Sequence, residues 1–388
     1  MKFRTILLEE WMRLYYFAAE VDIGSSGVQN FSMAELRALT GFAHGDLDRI
    51  VLRDSESFGG AKVRQALADR WLDGCSDHVL VTHGSSEALY LIMTSLLSPG
   101  DEIVVLDPCY PQHFSIAEAL GCRIRYWPLR FERGFRPDLD DLRRVLGPAT
   151  RMVVTNFPHN PTGATLTLEE QAELLELVEK AGAYLVWDTA FSELTYDAAP
   201  LPDPTLRYDR VLSIGTLSKA YGLPGLRVGW CLGAPELLAR LVETRDHLTL
   251  HLSPLVEFVA EQAIRHGRRL VGLRLEQARS NRALLAGWIE EQEGRVEWVP
   301  PAGGVCSFVR LPTVDDVEAF CHCLAREFGV LLVPGSCFNH PLHARLGFGD
   351  SPSTLQTGLS RVSELLCRSH NTPRPAGQSA NRLGNVVA

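Results

Sequence analysis

Lysine is scarce. Lys2, Lys62, Lys180 and Lys219 are the only four in 388 residues, so a lysine in unusual surroundings stands out. Basic side chains as a class also fall short of acidic ones, 38 against 47, for a net charge of −9. That balance excludes the broad basic surface of a nucleic-acid or membrane-surface binder. No apolar run reaches the ~18 residues of a membrane span. Lys2 and Arg4 precede Ile6-Leu7-Leu8, but Glu9-Glu10 cut the run at once, so no secretion signal is expected and a cytoplasmic location is. The nine cysteines are scattered and odd in number, so one chain cannot pair them all. Cys321-His322-Cys323 has no second pair at zinc spacing and lies in a helical context, so reduced thiols and no metal site are expected. Neither a Gly-x-x-x-x-Gly-Lys-Ser/Thr run nor a Gly-x-Gly-x-x-Gly after a strand is present.

What is there is ordinary globular material, 46% hydrophobic and 22% charged. The length is that of two to three domains. Short apolar runs at 78–81, 102–106, 151–156, 184–187 and 211–214 alternate with helical stretches, which predicts βα units and a mostly parallel sheet. Thr167-Leu168-Glu169-Glu170 has the spacing of a capping box opening a helix to Lys180, and Ala181-Gly182 stops it. Residues 255–289 read as one long helix. Beyond Pro300-Pro301 the pattern changes to strands at 304–309 and 330–333 around a helix at 314–328, a smaller α+β unit. From about Asn371 the chain is Pro/Ser/Asn/Gly-rich and is expected to be disordered.

In open parallel sheets ligands bind beyond the carboxyl ends of the strands. Those ends here carry Thr82-His83-Gly84-Ser85-Ser86, Asn156-Phe157-Pro158-His159-Asn160-Pro161-Thr162-Gly163, Asp188 and Thr216-Leu217-Ser218-Lys219, and all four could face one crevice. Gly84-Ser85-Ser86 entering a helix could cradle an anion on free N–H groups, or be a plain helix cap. Asp188 ends an apolar strand and needs a partner there, which could equally be a cap or an ion pair. Lys219 follows another apolar strand, where lost hydration would lower its pKa and make its amine a usable nucleophile. Arg227 returns eight residues later in a Gly- and Pro-rich turn and suits a phosphate. A lysine for a Schiff base, an acid for a pyridinium nitrogen and an anion cradle together describe a site for pyridoxal 5′-phosphate.

Thr216-Leu217-Ser218-Lys219 with Arg227, Asn160-Pro161-Thr162-Gly163, and Asp188 in an Asp-x-Ala-aromatic run resemble the class I/II aminotransferase family over about residues 22–366. The resemblance implies the α/β fold type I architecture: a large domain with a mostly parallel seven-stranded sheet flanked by helices, plus a smaller α+β domain. It implies an N-terminal arm and part of the small domain at 1–45, the cofactor-binding domain at 46–285, the small domain at 286–370 and a tail at 371–388. It further implies that Lys219 carries the cofactor, Asp188 pairs with the ring nitrogen, Asn160 bonds the ring oxygen and Tyr110 stacks on the ring. Ser85, Ser86, Thr216 and Arg227 would hold the phosphate. Arg345 would fork onto the substrate carboxylate under a loop that includes Ser25, Ser26 and Gly27. By analogy the protein is a homodimer with sites at the interface. Two positions depart from the pattern. Phe191 stands where the family usually has a tyrosine reaching the ring oxygen, and Asp54 where it often has one reaching the neighbouring subunit's phosphate.

The segments 22–30, 83–91, 156–161, 215–231 and 248–254 are similar to a narrower group, the cyclases that form capreomycidine and streptolidine from hydroxylated L-arginine in antibiotic pathways. That likeness implies removal of the α-proton by Lys219, loss of the β-hydroxyl and addition of the substrate's own guanidine nitrogen at Cβ. His159 and His83 are candidate general acids for the departing hydroxyl, or structural hydrogen-bonding histidines. A true aminotransferase is the alternative. A ligand-sensing regulator would need a DNA-binding module, for which neither room nor charge is evident. No nucleic-acid or membrane partner is expected.

Overall fold

The apolar runs become strands because their side chains can be buried on both faces, the mark of a central parallel sheet. Ile103, Val104, Met152, Val153, Leu185, Val186, Val211 and Leu212 are fully buried. The computed structural model describes residues 2–371, so the expected tail lies outside the described residues apart from Asn371. Seven strands stand in the order Val79–Thr82, Gly229–Gly233, Val211–Thr216, Tyr184–Asp188, Thr150–Asn156, Glu102–Asp107, Arg123–Pro128. Only Gly229–Gly233 runs antiparallel to its neighbours. The architecture is the mixed, mostly parallel α/β sheet flanked by helices that was expected.

Local signals act as written in the chain. Thr167 Oγ1 accepts from Glu170 N at 3.1 Å and Glu170 Oε2 from Thr167 N at 2.8 Å, opening the helix Leu168–Ala181. The stretch read as one helix at 255–289 is two, Pro254–Arg265 and Gly267–Glu291. They part at His266, and Gly267 packs where a Cβ would come within 2.8 Å of Tyr221 Oη. The close approach to Tyr221 leaves no room for a side chain at residue 267. The second helix runs unbroken across the boundary expected at residue 285.

The run at 330–333 is not one strand. Val330–Leu331 pairs in parallel with Val21–Asp22, whereas Val333–Pro334 pairs antiparallel with His343–Gly347, which also pairs with Cys306–Arg310. The chain changes sheets at Leu332, whose carbonyl accepts from Trp11 Nε1 at 3.0 Å. The N-terminal segment and residues 330–349 are thereby built into one another. Residues 22–29 lie directly against the strand His343–Gly347 and the two residues after it: Gly347 N donates to Ile23 O at 2.8 Å and Gln29 N to Gly349 O at 2.8 Å. A Cβ on Gly347 would run into the Ser25 carbonyl. The N-terminal helix Leu7–Tyr15 packs on this unit through buried Leu8, Trp11 and Tyr15. Among the described residues no helix is long and apolar enough to cross a membrane.

Candidate active site

Strand register brings the expected residues to one edge of the sheet. Thr82 and Thr216 both pair with Gly229, Asn156 pairs with Asp188, and Asp188 with Ile214. The carboxyl ends therefore share one crevice. Asp188 is buried, accepts from Ala190 N at 2.9 Å, and meets His113 Nε2 at 3.0 Å. A buried carboxylate needs such partners. Asn156 ties the neighbouring strand end to it: its Nδ2 donates to Asp188 O at 3.0 Å, and its Oδ1 accepts from Asn160 N at 2.9 Å.

The anion cradle forms where Arg227 and the helix Gly84–Leu96 meet. Gly84 has φ +76°, and a Cβ there would sit 2.9 Å from Arg227 Nη2. On Gly229 a Cβ would come within 2.6 Å of Ser85 N. Only glycine lets these backbones approach so closely. Arg227 Nη1 donates to Ser218 Oγ at 3.2 Å, and Thr216 Oγ1 donates to Ser218 Oγ at 2.9 Å. Neither the Ser85 nor the Ser86 hydroxyl makes a hydrogen bond among the described residues. Two free hydroxyls, a helix N-terminus and a guanidinium in one place fit a phosphate monoester.

Lys219 stands between that cradle and two adjoining cavities of about 350 and 230 Å³. Its Nζ donates to Ser26 Oγ at 2.9 Å. Burial, and then the Arg345 guanidinium, push its pKa below the ordinary lysine value. Ser25 lines both cavities, Ser26 the larger and Gly27 the smaller. Tyr110 and Arg345 line the larger one with Lys219. Arg345 is 3% exposed; its Nε donates to Gly24 O at 3.0 Å and its Nη1 to Asn160 Oδ1 at 3.4 Å. Burial, reinforced by Glu9, raises the pKa of the Tyr110 hydroxyl, which donates to Glu9 Oε1 at 3.2 Å. A cavity of about 780 Å³ beside Arg70 and Glu193 contains none of the expected site residues.

Neither His83 nor His159 lines the two Lys219 cavities. His83 Nδ1 lies 3.2 Å from Glu87 Oε2, in a network that includes Thr249 and the fully buried Arg245. That carboxylate is the partner of the His83 ring. His159 is buried with Nδ1 2.8 Å from Thr162 Oγ1. Burial, then the neighbouring His113, push its pKa down to about 3. Phe191 is buried beside Gly304. Asp54 is exposed and meets His251 Nε2 at 3.1 Å. Three contributors were not anticipated: His113, Ser218, and the N-terminal helix with Glu9. His113 follows Tyr110 by three residues after a strand end, a signal the crevice rule could have caught.

The chain can be set beside known proteins on these grounds. Residues 54–362 match the family model described as Aminotransferase class I and II. A capreomycidine synthase of Streptomyces vinaceus is 48% identical over 361 residues, 92% of this chain and 93% of that protein. The arginine–pyruvate transaminase AruH of Pseudomonas aeruginosa is 31% identical over 297 residues, 74% of each. Among solved structures, the PLP-dependent cyclase OrfR superposes with a TM-score of 0.90 at 42% identity, covering 95% of this chain and 98% of that one.

Proposed function

The chain belongs to the aminotransferase class I and II family of pyridoxal-phosphate-dependent enzymes, and on that premise we propose that it closes a ring on a hydroxylated L-arginine instead of exchanging amino groups. The observation that carries this reading is the likeness to capreomycidine synthase along nearly the whole chain. The Lys219 cavity supports it, with one fixed cation for a carboxylate and a carboxylate, Glu9, elsewhere on its wall. A cyclic guanidino amino acid such as capreomycidine or streptolidine is the product.

The residues present fit the cofactor. Lys219 would hold it covalently, Asp188 and Asn160 would meet its ring nitrogen and ring oxygen, and Tyr110 would cover a ring face. Ser85, Ser86, Thr216 and Arg227 would take the phosphate. When bound, pyridoxal phosphate supplies an electron sink for the substrate's α-carbon. His113 holds Asp188 in place by the 3.0 Å contact.

Arg345 receives the substrate carboxylate. Its Nε is committed to Gly24 and one Nη to Asn160, so its orientation is set before substrate arrives and a buried guanidinium gains its counter-ion. Ser25, Ser26 and Gly27 close over that end. Once the substrate's amine has taken its place on the cofactor, the freed Lys219 Nζ, with its lowered pKa, would accept the α-proton. The same nitrogen can return that proton to the β-hydroxyl, which leaves as water when the Cβ–O bond breaks. A guanidine nitrogen then bonds to Cβ, and the proton it sheds restores Cα–H. The net change is loss of one water.

A second copy of the chain is the proposed partner. Val51, Leu52, Leu248 and Leu250 are exposed on two loops joined by the Asp54–His251 contact, an apolar surface suited to a homodimer. All nine cysteines are free, in keeping with the reducing cytoplasm. Mass spectrometry of reactions with 3-hydroxyarginine and 3,4-dihydroxyarginine tests the function. The expected product is lighter by one water; a keto acid with stoichiometric pyridoxamine phosphate would instead make the protein an aminotransferase.

A further inference from the structure

One wall of the Lys219 cavity is left over once the cofactor and carboxylate contacts are assigned, and the N-terminal helix builds it. Leu8, Trp11 and Tyr15, spaced i, i+3, i+7, hold that helix down. Trp11 Nε1 donates to Leu332 O at 3.0 Å and Tyr15 Oη meets His322 Nδ1 at 2.6 Å. One residue further round, a rotation of about 100°, Glu9, Met12, Arg13 and Tyr16 line the cavity, and Leu8 at the border of the two faces lines it as well. The helix thus has an anchoring face and a presenting face.

Glu9 is the only carboxylate among the described residues lining the cavity of about 350 Å³. Its one hydrogen bond among them is from Tyr110, on Oε1, which leaves Oε2 unengaged. Arg345 and Lys219 line the same cavity. A substrate with a carboxylate at one end and a guanidinium at the other finds a buried cation for the first and this half-engaged carboxylate for the second. A planar guanidinium forks well onto a carboxylate. Arg13 is exposed on the rim, where water weakens its opposing charge. We propose that Glu9 binds the substrate's guanidinium, selects arginine-type side chains, and holds the guanidine nitrogen near Cβ for ring closure. This rests on the reading that the substrate is a hydroxylated arginine.

Two probes differing by one charge test it. L-arginine and L-citrulline have nearly the same shape, and their dissociation constants can be read from the change in the holoenzyme's absorption spectrum. The wild-type protein should favour L-arginine by about 10- to 100-fold, the range of a hydrogen bond between charged groups. Glu9→Gln should bring the ratio close to one through weaker L-arginine binding while keeping the wild-type resting spectrum; Glu9→Asp should retain part of the preference. A Glu9→Gln protein that still prefers L-arginine overturns the assignment. If that wild-type protein nonetheless closes a ring on 3-hydroxyarginine, the cyclase reading stands and only the role of Glu9 falls. A wild-type protein without the preference also overturns the assignment, and ring-closure activity again decides whether the cyclase reading falls with it.

Discussion

Arg345 and Asp188 are the two buried charges whose neighbours define what the site can bind. Arg345 keeps its plane through bonds to Gly24 and Asn160. A lysine there would supply charge without the fork, so Arg345→Lys should lower kcat/KM by about 100-fold, chiefly through KM, in steady-state assays. Asp188 depends on His113. His113→Asn should remove the 3.0 Å contact and lower cofactor affinity by about 10-fold, measured by equilibrium dialysis. The residues legible from the chain alone are those that sit in short motifs at strand ends: Lys219, Asp188, Asn160, Arg227. Sheet register then brings them together without further information. Glu9 was not legible because it reaches the cavity only through the docking of a helix against residues more than 300 positions away. His83 and His159 also follow strand ends, and sequence alone does not show their partners, Glu87 for the one and Thr162 for the other.

Elements are placed by what they pack against, and this is where periodicity alone stops short. Residues 255–289 carry one helical pattern, yet they form two helices that meet at His266. Residues 330–333 carry one strand pattern, yet two different sheets compete for them. The N-terminal helix is held mainly by Trp11, 4% exposed, and Tyr15. Trp11→Ala should cost about 3–5 kcal/mol of local packing. Hydrogen exchange should show faster exchange over Leu7–Tyr15 and unchanged protection in Val211–Thr216, because the buried central strand opens only with the whole sheet.

At the scale of the molecule, acid is the foreseeable weakness. Burial lowers the pKa of His159 to about 3 and of His343 to about 4. Despite burial, hydrogen bonds from His83 and Thr249, with the charge of Arg245, hold Glu87 down to about 2. In all three cases the unfolded chain binds protons that the folded chain refuses. Stability is therefore complete above about pH 6.5, falls as the unfolded histidines take up protons, and falls further through the carboxylate range. Thermal melts should show Tm declining from about pH 6.5 downward, and His159→Gln should flatten the upper part of that decline. Assembly can be checked at the same scale: the wild-type protein should sediment as a dimer and Leu52→Glu as a monomer.

The change of sheets at Leu332 has a consequence for the order of events on the ribosome. All seven strands of the large sheet have been made once residue 233 emerges, so the cradle and Lys219 can be in place while the chain is still growing. The roof cannot. Val21–Asp22 has no strand to pair with, and Trp11 no carbonyl to hold, until Val330–Leu332 has been synthesised. Over the whole stretch of translation between those two points, the nascent enzyme is a built floor whose first residues wait for a strand made about 300 residues later.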